Sequence, residues 1–176
     1  GRFNPISFIA TAYIEIIRGT PMLLQILIVY TAFDQVLGTS MEALTAAIIA
    51  VSLNSGAYVS EIIRGGIDGV DKGQFEAARS LGMSKAKAMR LVVIPQAIKN
   101  ILPAIGNEFV TVIKDSSMAS TIGVGELMYA SKIVTGATFR GLEPLMIAAG
   151  FYFVVTFTLG RILNYVERRM KVSDAR

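Results

Sequence analysis

The chain has 176 residues, 53% of them hydrophobic and 17% charged, with a net charge of +4 and neither Cys nor His. Soluble domains carry about 25% charged residues, so water-facing surface is short here, and the mean hydropathy of +0.56 agrees. Without thiols or imidazoles, disulfides, Cys–His nucleophilic pairs, histidine bases and the usual zinc sites are excluded. The length suits one unit rather than several.

The chain opens Gly1-Arg2-Phe3-Asn4-Pro5, with no initiator Met and no signal peptide, so an upstream piece is expected. Apolar residues at 6, 9, 10, 13, 14 and 17 have helical spacing. They predict an amphipathic segment lying at a membrane interface or finishing a span. Arg18-Gly19 ends it, and Thr20-Pro21 reads as the N-cap and first residue of a new helix. Charge-free runs follow at 19–33 (15 residues), 43–60 (18 residues) and 144–160 (17 residues). A span needs about 20 mainly apolar residues, and flanking residues can extend each run. A fourth candidate, 98–117, is interrupted by Lys99, Glu108, Lys114 and Asp115. A soluble bundle could bury one such run; three plus a polar fourth call for lipid. The predicted fold class is all-α: a polytopic helical integral membrane protein with about four spans.

Charge orients these spans. Of 17 Lys and Arg, six lie in 64–90 and five in 161–176. Positive residues collect on the cytoplasmic side, so both segments should be cytoplasmic. Segments 98–117 and 144–160 then cross between them, and 122–143 falls outside. Upstream, 43–60 runs inward and 21–33 outward, which suits Arg2 and Arg18. The pI near 9.5 reads as membrane orientation and needs no nucleic acid.

The loop at 71–85 is the most informative stretch. Asp71 with Gln74 resembles a capping box, a short helix should run to Leu81, and Gly82 supplies its left-handed end. Ser84 caps a second helix, which Pro95 should kink or stop. Phe75, Ala78 and Leu81 or Gly82 share one side; Glu76, Arg79 and Ser80 are left for something else. Three readings compete: a solvated amphipathic loop, a DNA-binding helix-turn-helix using Ala78, Gly82 and Leu91, and a docking element for a cytoplasmic partner.

Glu76-Ala77-Ala78, Gly82, Val92, Ile94 and Pro95 fit the pattern E-A-A-x3-G-x9-I-x-L-P, with conservative changes at Val92 and Ile94. This resembles the signature loop of the membrane permease subunits of ABC importers. Arg18-Gly19-Thr20-Pro21, Asn54-Ser55-Gly56-Ala57-Tyr58 and Lys114-Asp115-Ser116-Ser117 resemble the subfamily for polar amino acids such as histidine, glutamine and arginine. Such permeases usually have five spans, so the first is expected upstream.

The resemblance implies one permease domain over 1–176, with a cytoplasmic coupling helix at 71–82 and an extracytoplasmic loop at 122–143. It implies no catalytic residue and no metal site. ATP and Mg would sit on a partner ATPase dimer docked against Phe75, Glu76, Ala77, Ala78, Arg79, Ser80 and Gly82, with Phe75 filling a partner pocket. The chain has no G-x-x-x-x-G-K-[ST] phosphate loop of its own. The other implied partners are a second permease subunit, identical or paralogous, an extracytoplasmic amino-acid-binding protein and the bilayer of a bacterial-type cell membrane. Lys132 and Arg140 in the outer loop could meet that binding protein or be solvated.

Ionisable residues at membrane depth usually face a protein interior or an aqueous cavity. Glu108 lies ten residues after Ile98, about 15 Å along a helix, and Asn54 lies ten before Arg64. Asn54, Tyr58 and Glu61 share one helix face, and Glu108, Thr111 and Asp115 another. With Ser116 they are the expected substrate contacts, the amide and hydroxyls for an amino-acid backbone and the carboxylates for an ammonium. The three carboxylates lean toward a basic amino acid. The competing roles are helix packing for Asn54, and ion pairing of Glu61 with Arg64 and of Asp115 with Lys114 or Lys132. Two other functions stand beside this one: a membrane-anchored helix-turn-helix regulator, and an ion or proton-coupled carrier without an ATPase.

Overall fold

A computed structural model describes residues 4–172; Gly1, Arg2, Phe3 and Arg176 of the sequence reading lie outside them. Eight α-helices follow in order: α1 Pro5–Gly19, α2 Met22–Leu37, α3 Ala43–Asp68, α4 Lys72–Ser80, α5 Lys85–Ala88, α6 Ile94–Asp115, α7 Leu127–Thr138 and α8 Leu142–Val172. A π-helical turn, Met89–Val93, joins α5 to α6, and a 3₁₀ segment, Ser116–Ile122, follows α6. No strand occurs among the described residues. Three helical runs are long and apolar enough to cross a membrane, Ala43–Asp68, Lys85–Ile122 and Leu142–Met170, or four if the bent pair α1–α2 counts as one. The all-α membrane architecture is therefore as expected. Its helices fall into two compact units, Gly1–Tyr58 with Val110–Thr158, and Val59–Phe109 with Leu159–Arg176.

In the first unit, Asn4 caps α1 by accepting from the Ile6 and Ser7 amides at 3.1 and 3.4 Å. A break follows at Thr20-Pro21, where the axis bends by 112° between Pro5–Gly19 and Met22–Phe33. Flanking residues therefore do not extend the 19–33 run upstream as a straight span. Nor does Thr20 cap α2: its hydroxyl donates to the Ile16 carbonyl at 2.9 Å, and Pro21 O takes the Gln25 amide at 3.2 Å. Gln25 fixes the break from inside. Its Nε2 donates to Ile17 O at 2.7 Å, Thr20 O at 3.1 Å and Thr20 Oγ1 at 2.9 Å. A core of Met22, Ile26 and Ala50 packs beneath, with Met118 and Ile122 from the 3₁₀ segment against it. The stretch 122–143, expected as a linker, holds α7. Glu126 caps it by accepting from the Met128 and Tyr129 amides at 2.8 and 2.7 Å, and the Tyr152 hydroxyl from α8 donates to the same carboxylate at 2.8 Å.

In the second unit α3 and α6 approach closely. A Cβ on Gly66 would lie 2.2 Å from Ile101 Cγ1, so only glycine permits this contact. Val70, Val93 and Ala97 form the local core, with Phe75 and Met89 against it. Pro95 neither stops nor breaks the helix, contrary to expectation. A proline ring clashes with the carbonyl four residues earlier, here Leu91, and the widened turn at Met89–Val93 lies over that position. The helical run is continuous across Lys85–Ile122.

Candidate functional site

The α4–α5 turn is built almost entirely from local bonds. Asp71 Oδ1 accepts the Gly73 amide at 2.6 Å and starts α4. The reciprocal half of a capping box is not made among the described residues, because Gln74 Oε1 accepts from Gln96 Nε2 at 3.5 Å instead. At the far end, the Met83 amide donates to Ala78 O at 3.2 Å and the Gly82 amide to Arg79 O at 3.0 Å. Those are the two bonds of a Schellman motif, and Gly82 holds the left-handed conformation it requires, φ +83°. Arg79 Nη1 donates to Met83 O at 2.5 Å, and Ser84 Oγ accepts the Lys87 amide at 3.3 Å.

Of the seven residues expected to meet a partner, Glu76, Ala77, Arg79, Ser80 and Gly82 are exposed. Ala78 is buried at 4% exposure and Phe75 is half-buried against the Val70 cluster. Phe75 thus packs in its own chain, and with Glu76, Asp68, Lys72 and Lys85 it lines an open groove of about 700 Å³. The exposed apolar side chain of this turn is Leu81, at 81%. The second helix of the would-be helix-turn-helix is four α-helical residues running into a π turn.

The expected substrate residues divide between the units. Asn54 is 9% exposed and donates Nδ2 to Gln25 Oε1 at 2.9 Å, the packing role weighed for it. Gln25 was not singled out in the sequence, yet an amide within an uncharged apolar run has to find such a partner. The Arg18 guanidinium carbon lies 5.6 Å from the Tyr58 ring centroid, a cation–π contact. Thr111 and Asp115 are half-buried, and exposed Ser116 donates to Ile113 O at 2.8 Å. Glu61 and Glu108, in the second unit, are half-buried, and Glu61 pairs with Arg64 at 3.0 Å. No group of three or more Asp or Glu able to hold a metal occurs among the described residues.

An open, mostly apolar concavity of about 450 Å³ that carries two lysines and several hydroxyl groups lies within the first unit instead, in the size range of small-molecule sites. Lys114, Ser117, Ser120, Thr121, Lys132 and Tyr152 supply its polar lining, and Leu23, Met118 and Leu145 are among its apolar walls. None of the seven expected substrate residues lines it. Two lysines and no Asp or Glu are among its lining residues. Lys132 Nζ donates to Ser120 Oγ at 3.0 Å, which aims its charge along the 3₁₀ segment.

Known proteins resemble this arrangement. The chain is 46% identical over 98% of its length to 78% of the arginine transport system permease protein ArtQ of Bacillus subtilis (strain 168). It is 43% identical over 93% of its length to 75% of a putative glutamine transport system permease protein GlnP of Rickettsia conorii. The crystal structure of an amino acid ABC transporter with histidines superposes with a TM-score of 0.91 at 51% identity, covering 96% of this chain and 78% of that one. The model of the binding-protein-dependent transport system inner membrane components matches residues 1–172, and the chain belongs to that family.

Proposed function

We propose that this chain is a transmembrane subunit of an ATP-driven ABC importer that carries a polar amino acid across a bacterial cell membrane. One observation carries the substrate class. The lysine-lined concavity has two lysines, three hydroxyl side chains and a tyrosine among its lining residues and no carboxylate residue. Such a lining suits an α-carboxylate, the group shared by all amino acids, through charge-assisted hydrogen bonds. The expectation of carboxylates binding a basic side chain takes second place, because Glu61 already pairs with Arg64 and none of the three expected carboxylates lines the concavity.

The chain carries no phosphate loop, so hydrolysis belongs to a partner ATPase dimer that holds the ATP and Mg. That partner docks on the α4–α5 turn, with Leu81 as its apolar contact and the charged groove beside Phe75 as its polar one. A turn locked by a Schellman motif moves as a body. The continuous helix Lys85–Ile122 links it covalently to the residues of the cavity. A second permease subunit completes the path, and a binding protein outside delivers substrate. The kinship with ArtQ and GlnP supports an amino acid as cargo and leaves its side chain open. The test is ATP hydrolysis by the reconstituted complex in vesicles, with and without loaded binding protein. Stimulation several-fold by the loaded protein, lost on substituting Leu81→Asp, is expected. Hydrolysis indifferent to binding protein refutes the importer reading.

A further inference from the structure

The first unit has a second concavity. It is about 280 Å³, almost wholly apolar, and lies between α7 and the start of α8. Ser131, Pro144 and Ala148 form its buried floor, and Val134 and Ile147 are exposed on its walls. The floor makes no demand for water, because Ser131 Oγ already donates to Met128 O at 2.8 Å. Arg140 and Glu143 also line it, both exposed. No ion pair joins these two among the described residues.

Position gives this slot a meaning. The apolar run of α8 begins at Leu142, so Arg140 and Glu143 stand at the end of a span, at headgroup level. Ile147 and Ala148 lie four and five residues beyond Glu143, about 6–8 Å deeper at 1.5 Å per residue. The backbone is shaped to hold the arginine there. Phe139 ends α7 with φ +57°, a conformation that non-glycine residues rarely adopt. The Arg140 amide then donates to Thr138 Oγ1 at 3.4 Å. The Phe139 ring is 94% exposed at the same level.

We infer that the α7–α8 groove is a binding site for a phospholipid of the phosphatidylethanolamine type. The Arg140 guanidinium takes the phosphate, the Glu143 carboxylate takes the primary ammonium, and an acyl chain enters along Val134, Ile147 and Ala148. Paired opposite charges favour a zwitterionic headgroup with N–H donors over an anionic one, and over a choline, which has no N–H to donate. The site is separate from the lysine-lined cavity and does not depend on the substrate assigned to it.

The test uses the assembled complex in nanodiscs of phosphatidylcholine containing a trace of photoactivatable phosphatidylethanolamine, with labelled residues mapped by mass spectrometry. Label should concentrate on 130–148. Unlabelled phosphatidylethanolamine should compete it several-fold better than phosphatidylglycerol or phosphatidylcholine. Arg140→Gln with Glu143→Gln should reduce it several-fold, and Ala148→Phe, which fills the floor, should do the same by a different route. Each variant is read only after its yield and size-exclusion profile match the parent. Label spread evenly along the exposed face of α8, equal competition by all three lipids, or a cysteine cross-link across Val134 between two permease copies would each overturn the assignment.

Discussion

The α4–α5 turn and the lysine-lined cavity are both candidate working parts, and they were specified in different ways. The turn is made mainly by bonds between residues no more than five positions apart, such as Met83 to Ala78 and Asp71 to Gly73. The cavity takes Leu23 from α2, Lys114 from α6, Ser117, Met118, Ser120 and Thr121 from the 3₁₀ segment, Met128 and Lys132 from α7 and Tyr152 from α8. Local chemistry shapes most of the first, with Phe75 anchored on the Val70 cluster; tertiary packing is needed to assemble the second. A docking element has to be rigid before its partner arrives, whereas a transport cavity has to rearrange, and the bonds suit each task.

The comparison breaks most sharply at the lysines. Lys114→Met with Lys132→Met removes both cations from the cavity. Hydrogen bonds to charged groups contribute about 1.5–3 kcal/mol each, so with both removed the half-saturating substrate concentration should rise roughly a hundredfold or more. Uptake measured against substrate concentration checks this, and ATPase binding should be unchanged. A mid-sized effect is expected at Gly82. A β-branched residue in its left-handed conformation costs about 1–2 kcal/mol. Gly82→Val should therefore lower co-purification of the ATPase about tenfold, and Gly82→Asn much less, since Asn visits that region. The smallest effect should come from the Gln25–Asn54 bond. Hydrogen bonds between membrane helices average about 0.6 kcal/mol, so Asn54→Leu should lower the midpoint of thermal unfolding slightly and leave substrate affinity within about twofold. A tenfold loss of affinity there would move Asn54 from packing to substrate contact.

How much was legible follows the same divide. Helix existence, the Gly82 turn and the Ser84 cap follow from spacing and local propensity, and the structure has all three. Pro95 signals a kink or stop that the structure does not make, because its helix survives through a π turn that no residue type announces. The break at Thr20-Pro21 is legible but its 112° angle is not, because Gln25 reaching back to Ile17 fixes it, and α7 is not announced because Glu126, outside the usual capping types, starts it. Depth arithmetic found Asn54 and Glu108 but could not show which face of each helix meets a cavity. Lys114 and Lys132 read from the sequence as ion-pair partners, and Lys132 also as an outer-loop contact, yet both line the cavity.

The central claim is that ATP drives an amino acid through a path that recognises its α-carboxylate. Uptake by proteoliposomes holding the full complex, with ATP enclosed and the binding protein outside, tests it most directly. It requires an amino acid that the binding protein accepts both free and as its methyl ester. The free amino acid should accumulate only with hydrolysable ATP, and the methyl ester at least tenfold more slowly. Equal transport of ester and acid, or uptake indifferent to ATP, would contradict the account.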